Sequence, residues 1–375
     1  MKTSLVIAFG LAAFCGASSA WAAVTVVDDK EHDVSFKVSL ILQAQVQFTQ
    51  DGAPNGKSWS TDFFLRRARL LLFGQATKNF TYFFTIDQPN WGKGGDFTTS
   101  AFVQDVVLTY EPCRQIIVDA GLLAPPFMHN TLESAAWLNA IDYHAALLHY
   151  PAGMGKNFRD TGVQVRGLLF NDRLHYRAGV FEGVRGPAIP ANAPTTTLPL
   201  NEDAEPRVAA MVRLNLLGAE DKYLMPGITL GETPTVSVGV GYDFQRHATR
   251  IPNGISDHSA ISGDIFADYP FSADDELVAK GAIMHWGEGT NNVASGLAAF
   301  GEAGFRHVWF EPVIGVDWFH AEHSLDDYYA VRGGLNFWIR KYTTNIKAEM
   351  AYIEDDAATG KKRGPVGTVQ WQIVL

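Results

Sequence analysis

Residues 36–48 read Phe36-Lys-Val-Ser-Leu-Ile-Leu-Gln-Ala-Gln-Val-Gln-Phe48. Phe36, Val38, Leu40, Leu42, Ala44, Val46 and Phe48 are apolar, and Lys37, Ser39, Gln43, Gln45 and Gln47 lie between them, with Ile41 the exception. A repeat of two gives an extended strand one apolar and one polar face. The run is also long. Strands of soluble sandwiches usually stop after about five or six residues, whereas a strand that crosses a bilayer needs about ten, tilted.

The alternation recurs along the chain. Further strands are expected over 63–74, 79–88, 101–111, 115–122, 161–169, 173–182, 206–215, 234–244, 260–269, 276–286, 299–307, 311–320, 330–339, 344–354 and 366–375. The total of about sixteen is even and falls in the range of bacterial outer-membrane barrels. The connections alternate in length. Short ones are 75–78, 112–114, 171–172, 270–275, the turn near Trp309, and 340–343; long ones are 50–62, 89–100, 123–160, 183–205, 245–259, 287–298, 321–329 and 355–365. Short turns at one rim and longer loops at the other are the layout of such barrels. One connection breaks the rule: 216–233 is long in a short-turn slot, as an extended turn or an overlooked hairpin. Val369, Trp371, Ile373 and Leu375 alternate with Thr368, Gln370 and Gln372, which suits closure of the last strand against the first. The expected fold is all-β, a transmembrane antiparallel β-barrel.

The third outer connection stands apart. It runs from Leu123-Ala-Pro-Pro-Phe127 through Trp137, Leu138, Ile141 and Tyr143 to Arg159. A loop of this length inside one domain is functional or disordered, and this one is too apolar for disorder. It is expected to fold back inside the barrel and narrow a pore.

Lys2, the apolar run 5–14 and Ala20-Trp-Ala22 make a secretory signal peptide over 1–22, with the barrel domain over 23–375. The run is too short to span a bilayer as a helix. Cys113 is then the only thiol, so no internal disulfide is expected. A net charge of −10 argues against nucleic acid as a partner.

Phe64-Leu-Arg-Arg-Ala-Arg69, Ala120-Gly-Leu-Leu-Ala-Pro-Pro-Phe127 with Leu132-Glu-Ser134, Arg159-Asp-Thr-Gly-Val-Gln164 and Tyr176-Arg-Ala-Gly-Val-Phe-Glu-Gly183 resemble the phosphate-selective porin O/P family. The resemblance spreads over 36–375. It implies a sixteen-stranded, homotrimeric outer-membrane porin for anions such as phosphate or polyphosphate. The third loop is poor in the bases such selectivity would use: it offers Lys156 beside His129, His144 and His149, and carries Glu133 and Asp142.

With the apolar parity facing outer-membrane lipid, the other parity faces the lumen. That places Lys37, Arg166, Arg177, Arg213, Lys280, Arg306, Arg332 and Lys347 inside, with Asp87, Asp105, Asp243, Asp264, Glu302, Asp317 and Glu349. Arg67 and Arg69 share one face and Arg66 the other; the pair is placed inside, because two charges facing lipid cost more than one. The anion-binding set is therefore Arg67, Arg69, Lys156, Arg166, Arg177, Arg213, Lys280, Arg306 and Arg332. The bases slightly outnumber the acids, a weak preference for small anionic solutes. Arg159 and Asp160 are expected to pair and pin the end of the loop.

Tyr82, Tyr110, Tyr269, Trp286, Trp318 and Tyr352 are expected in interfacial girdles. His320-Ala-Glu-His323 with Asp326 and Asp327 is read as a solvated loop, so no metal and no cofactor is expected. His258-Ser259 and His323-Ser324 lack a nucleophile elbow, so no enzyme activity is expected. The alternatives are a general or organic-solute channel, with Pro125, Pro126 and Trp137 shaping a greasy constriction, and, more remotely, an outer-membrane lipid hydrolase or a structural barrel.

Overall fold

The computed structural model describes residues 23–148, 150, 158–186, 200–219, 224–251, 254–289, 292, 295–324, 326–356 and 362–375. The expected signal peptide and Lys156 lie outside these described residues. The strands are β1 (Val24–Asp29), β2 (Val34–Thr49), β3 (Ser60–Thr77), β4 (Phe80–Trp91), β5 (Phe102–Cys113), β6 (Ile116–Leu123), β7 (Asp160–Leu169), β8 (Leu174–Phe181), β9 (Arg207–Leu217), β10 (Thr235–Ile251), β11 (Gly254–Pro270), β12 (Asp275–Gly287), β13 (Gly296–His307), β14 (Phe310–Ala321), β15 (Tyr328–Tyr342), β16 (Thr344–Asp355) and β17 (Lys362–Val374).

From β2 onward each strand pairs antiparallel with the next, and β17 pairs with β2, so sixteen strands close into a barrel. Closure leaves no open edge to be satisfied in lipid. β17 ends against β2 at Val374↔Ile41. Beyond that point β1, a strand the alternation did not reveal, takes over the same edge of β2 from Val24↔Val38 to Asp29↔Val34.

The polarity is inside out. Val163 and Val165 are 49% and 36% exposed, while Gln164 and Arg166 between and beside them are buried. The outward band is apolar and faces lipid; the inward side chains are polar, as in barrels of the outer membrane. Around the short-turn rim, aromatic rings gather on the outside: Phe80 stacks on Tyr110 with centroids 4.7 Å apart, and Trp309 lies 5.8 Å from Phe337. Tyr110, Tyr269, Trp318 and Tyr352 are exposed as expected for a girdle. Trp286 is not among them: it is fully buried on the lumen side, because its strand parity points inward.

Two connections differ from the expectation. The loop expected over 245–259 is mostly strand: β10 and β11 continue as a long hairpin to Ile251 and Gly254, with a register shift between Gln245 and Thr249. Among its described residues, the long connection after β9 contains no strand. Its described residues 224–230 turn back into the barrel, where Ile228, Thr229 and Leu230 are buried.

Candidate functional site

The lumen is crossed by the third loop, whose described residues 124–148, 150 and 158–159 include two single-turn helices, His129–Leu132 and Ala145–Leu148. Its apolar side chains find two patches on the inner wall. Trp137 packs with Ile41, Leu71, Phe83, Val107 and Val374 on one side. Phe127, Met128, Leu147 and Tyr150 pack with Met284, Trp286, Phe300 and Phe319 on the other. Ile41, the exception to the alternation of β2, is thus part of the seat for Trp137. At its start the loop passes close against β10. The Phe127 carbonyl accepts from the Ser262 hydroxyl at 2.7 Å, and a Cβ on Gly241 would lie 1.6 Å from that carbonyl. Only glycine leaves this room.

Polar contacts reinforce the seat. Gln43 and Gln372 donate to the carbonyls of Ala135 and Ala136, both at 3.1 Å. Lys347 donates to the carbonyls of Leu138, Asn139 and Ala140 at 2.5, 3.3 and 3.0 Å. Lys280 reaches Glu133 at 2.9 Å. His144 lies between Glu302 at 3.1 Å and Asp317 at 3.2 Å, and Arg332 also pairs with Asp317. Burial alone would lower the His144 pKa, but the hydrogen bonds to Asp317 and Glu302 outweigh it and raise the value.

On β3 the chain supplies three inward guanidiniums, not two. Gln43 pairs with Arg67 and Ala44 with Leu65, so Arg66 is the extra residue of a β-bulge. A bulge re-aims side chains and shifts parity along the strand. Phe64 faces in before it, and Arg67, Arg69 and Leu71 face in after it. Arg66 and Arg67 both reach Asp142 of the loop, at 2.5 and 2.6 Å. Burial alone would raise the Asp142 pKa; the charges of Arg67 and Arg66 overcome it and hold the carboxyl well below the usual range. Arg67 also donates to Gln43 at 2.7 Å, and Arg69 pairs with Asp87 at 2.7 Å. The placement of Arg66 on the outer face is therefore corrected: alternation counted without the bulge puts it on the wrong side.

The other expected bases also face inward. Arg166 pairs with Asp119 at 2.7 Å, Arg213 with Asp264 and Arg306 with Glu276. Arg177 donates to His175 at 3.0 Å and to the Leu224 carbonyl at 3.2 Å. Lys37 is half-buried. Arg159 and Asp160 do not pair with each other, since successive residues of an extended chain point apart. Arg159 takes Asp105 at 2.5 Å, while Asp160 accepts from the Gly183 amide at 3.0 Å and from Arg207 at 3.4 Å. Both still tie the end of the loop to the wall. The expected excess of bases does not hold among the described buried residues. Asp119, Glu133, Asp160, Asp268, Glu276, Glu288 and Glu311 join the acids, and buried carboxylates outnumber buried Arg and Lys. Asp119 and Arg207 share the inward parity of their strands and were readable from it.

His258 is buried in the lumen, against Glu288 at 2.5 Å, while Ser259 is exposed on the other face, so the two cannot work together. His320 pairs with Asp327 at 3.1 Å on the outer loop, both half exposed. Asp203, Glu205 and His247 bring three potential metal ligands within 4.8 Å of one another at the outer rim, a grouping the sequence did not signal; Glu205 is also paired with Arg246 at 3.2 Å.

A closed sixteen-stranded barrel, apolar outside, with a charged lumen crossed by its third outer loop, defines an outer-membrane channel protein. The chain is similar in structure to Pseudomonas putida OprB at high pH (TM-score 0.63, 9% identity, 91% of this chain and 94% of that one). It is also similar to the anion-selective porin from Comamonas acidovorans (0.57, 12%, 91% and 99%) and to the outer-membrane channel DcaP of Acinetobacter baumannii (0.56, 10%, 93% and 99%). No curated protein matches it by sequence. Residues 36–203 match the model of the family described as phosphate-selective porin O and P.

Proposed function

We propose that the protein, exported by its N-terminal leader and assembled as a homotrimer, lets small anions diffuse passively across the outer membrane, phosphate or polyphosphate among them. The observation that supports an anionic solute is the clustering of guanidiniums on one part of the wall. Arg66, Arg67 and Arg69 project inward from β3, and Arg166, Arg177, Arg207 and Arg213 from β7 to β9. Each is held by hydrogen bonds, so the cluster is preorganised. The accompanying carboxylates set a transverse field and keep the preference for anions weak. Arg67, Arg69, Lys156, Arg166, Arg177, Arg213, Lys280, Arg306 and Arg332 remain the proposed solute-facing set, with Arg66 added. A greasy path for organic solutes fits less well, because Trp137 packs into a seat on the wall with Ile41, Leu71, Phe83, Val107 and Val374.

Planar-bilayer conductance of the detergent-folded protein, with a salt-gradient reversal potential and added phosphate, tests this. An anion-selective reversal potential with block by phosphate is expected. Stable steps with cation selectivity and no block would remove the anion assignment and keep the channel. Silence from folded protein would remove the channel.

A further inference from the structure

The connection between β9 and β10 sits in a position where these barrels carry short turns, yet its residues 224–230 lie inside the barrel. Residues 226–230 are all buried. Leu224 and Met225 pack on the same inner patch as Trp137, Phe181 and Ala209. Ile228 and Leu230 pack on Phe266, Val278 and Trp338, across the lumen on β11, β12 and β15. The segment therefore spans the bore from wall to wall.

It also touches the third loop directly. The Ser134 amide donates to the Pro226 carbonyl at 3.1 Å, and the Ile228 amide to the Trp137 carbonyl at 3.3 Å. The wall holds it in place: the Tyr342 hydroxyl donates to the Ile228 carbonyl at 2.5 Å, and the Thr229 amide and hydroxyl donate to Asp268 at 2.5 and 3.0 Å. Leu224 and Met225 face Ala124 and Leu132 across a cavity of about 20 Å³, room for a single water. A Cβ on Gly227 would lie 2.5 Å from the Trp137 Cβ, so the two segments meet with no slack.

We propose that this turn is a second constriction element, a fixed crossbar on the periplasmic side that sets the bore jointly with the third loop. Any solute entering past the loop meets the carbonyl-bearing, apolar-sided segment 224–230 immediately below it. The proposal rests on the channel reading above. It makes size selection a property of two segments from opposite rims, one of which the lengths of the connections had already marked as anomalous.

Two full-chain variants test it in planar bilayers, each first shown to be a folded barrel by its heat-dependent gel mobility. Gly227→Leu wedges the turn away from Trp137, and single-channel conductance is expected to rise on the order of two-fold, with the reversal potential moving toward zero as the bore widens. Ser134→Cys with Pro226→Cys, in a Cys113→Ser background, joins residues already in backbone contact, within reach of a disulfide. The oxidised form is expected to conduct like the parent. Unchanged conductance in Gly227→Leu would overturn the proposal. So would a silent oxidised double variant, which would mean that the turn must leave for solute to pass, or failure of the disulfide to form. If the parent is also silent, the channel reading itself has failed.

Discussion

The polar anchors of residues 135–140 of the inward loop are to their backbone, and those of residues 142–148 and 150 are mostly to their side chains, the Ala146 amide donating to Asp317 at 3.2 Å being the exception. In the first stretch Gln43, Gln372 and Lys347 all donate to carbonyls of the loop. In the second, Asp142 sits between two guanidiniums, His144 between two carboxylates, and the Tyr150 hydroxyl donates to Asp243 at 2.5 Å. Backbone anchoring does not depend on what the loop residues are, only on the wall residue that donates. Side-chain anchoring depends on the ionisation of the loop residue itself. The first half should therefore fail when the wall is changed, and the second half also when its own side chains are changed.

The largest expected effect breaks the second half. Asp142→Ala leaves Arg66 and Arg67 without their carboxylate. Loss of one partner of a buried pair costs about 3–5 kcal/mol, reduced here to about 2–3 because Asp142 is 26% exposed and partly screened. Limited proteolysis of the folded barrel should cut within the loop, and channel recordings should become noisier and larger. Equal protease resistance in variant and parent would remove the electrostatic account of this half.

A smaller effect is expected from the first half. Lys347→Met keeps the length of the side chain and removes the bonds to three carbonyls, a loss of about 2 kcal/mol. Nicking is expected near 138–140 and not near 142–150. Nicking across the whole loop would mean that the two halves dock as one unit and that the distinction does not hold.

The smallest effect is the pH response. His144 has a raised pKa through Asp317 and Glu302, with Arg332 and Lys280 facing the same carboxylates. Its contribution is fully present below about pH 6.5, its ordinary value, and is lost as pH rises through the raised value. Loop excursions in single-channel traces should become more frequent over that upward window. A His144→Gln variant should show no such pH response; persistence of the response would assign it to another group.

Much of this architecture is legible in the residues. Alternation locates all sixteen barrel strands, and parity alone sends Arg166, Arg213, Lys280, Arg306, Arg332 and Lys347 inward. What it misses depends on partners distant in the chain. The bulge at Arg66 exists only relative to β2, and the short-range pattern of β3 carries no sign of it. Trp286 was read as a girdle residue because strand-end aromatics usually are, but its partners in the lumen come from the third loop and from β14. The Arg159–Asp160 neighbours looked like a pair in one dimension and find separate carboxylate and guanidinium partners in three. Turn length flagged the connection after β9, but only the barrel interior shows where its apolar residues go.

The seam where β17 meets β2 has a consequence for assembly. Its inward rungs are Gln43 with Gln372 and Gln45 with Gln370, both at 2.8 Å, then Gln47 with Thr368 at 3.4 Å. Amides are interchangeable in such a ladder. Slipping the last strand by two residues would keep every side chain on its own face and would still match Gln with Gln. The rung that distinguishes the correct alignment is Ile41 with Val374. A slip one way would set Ile41 against Gln372, and a slip the other way would set Val374 against Gln43; either would take Val374 out of the seat of Trp137. The single break in the polar alternation of β2 thus acts as a registration mark, telling a chain that joins its two ends which of several equivalent matches is the right one.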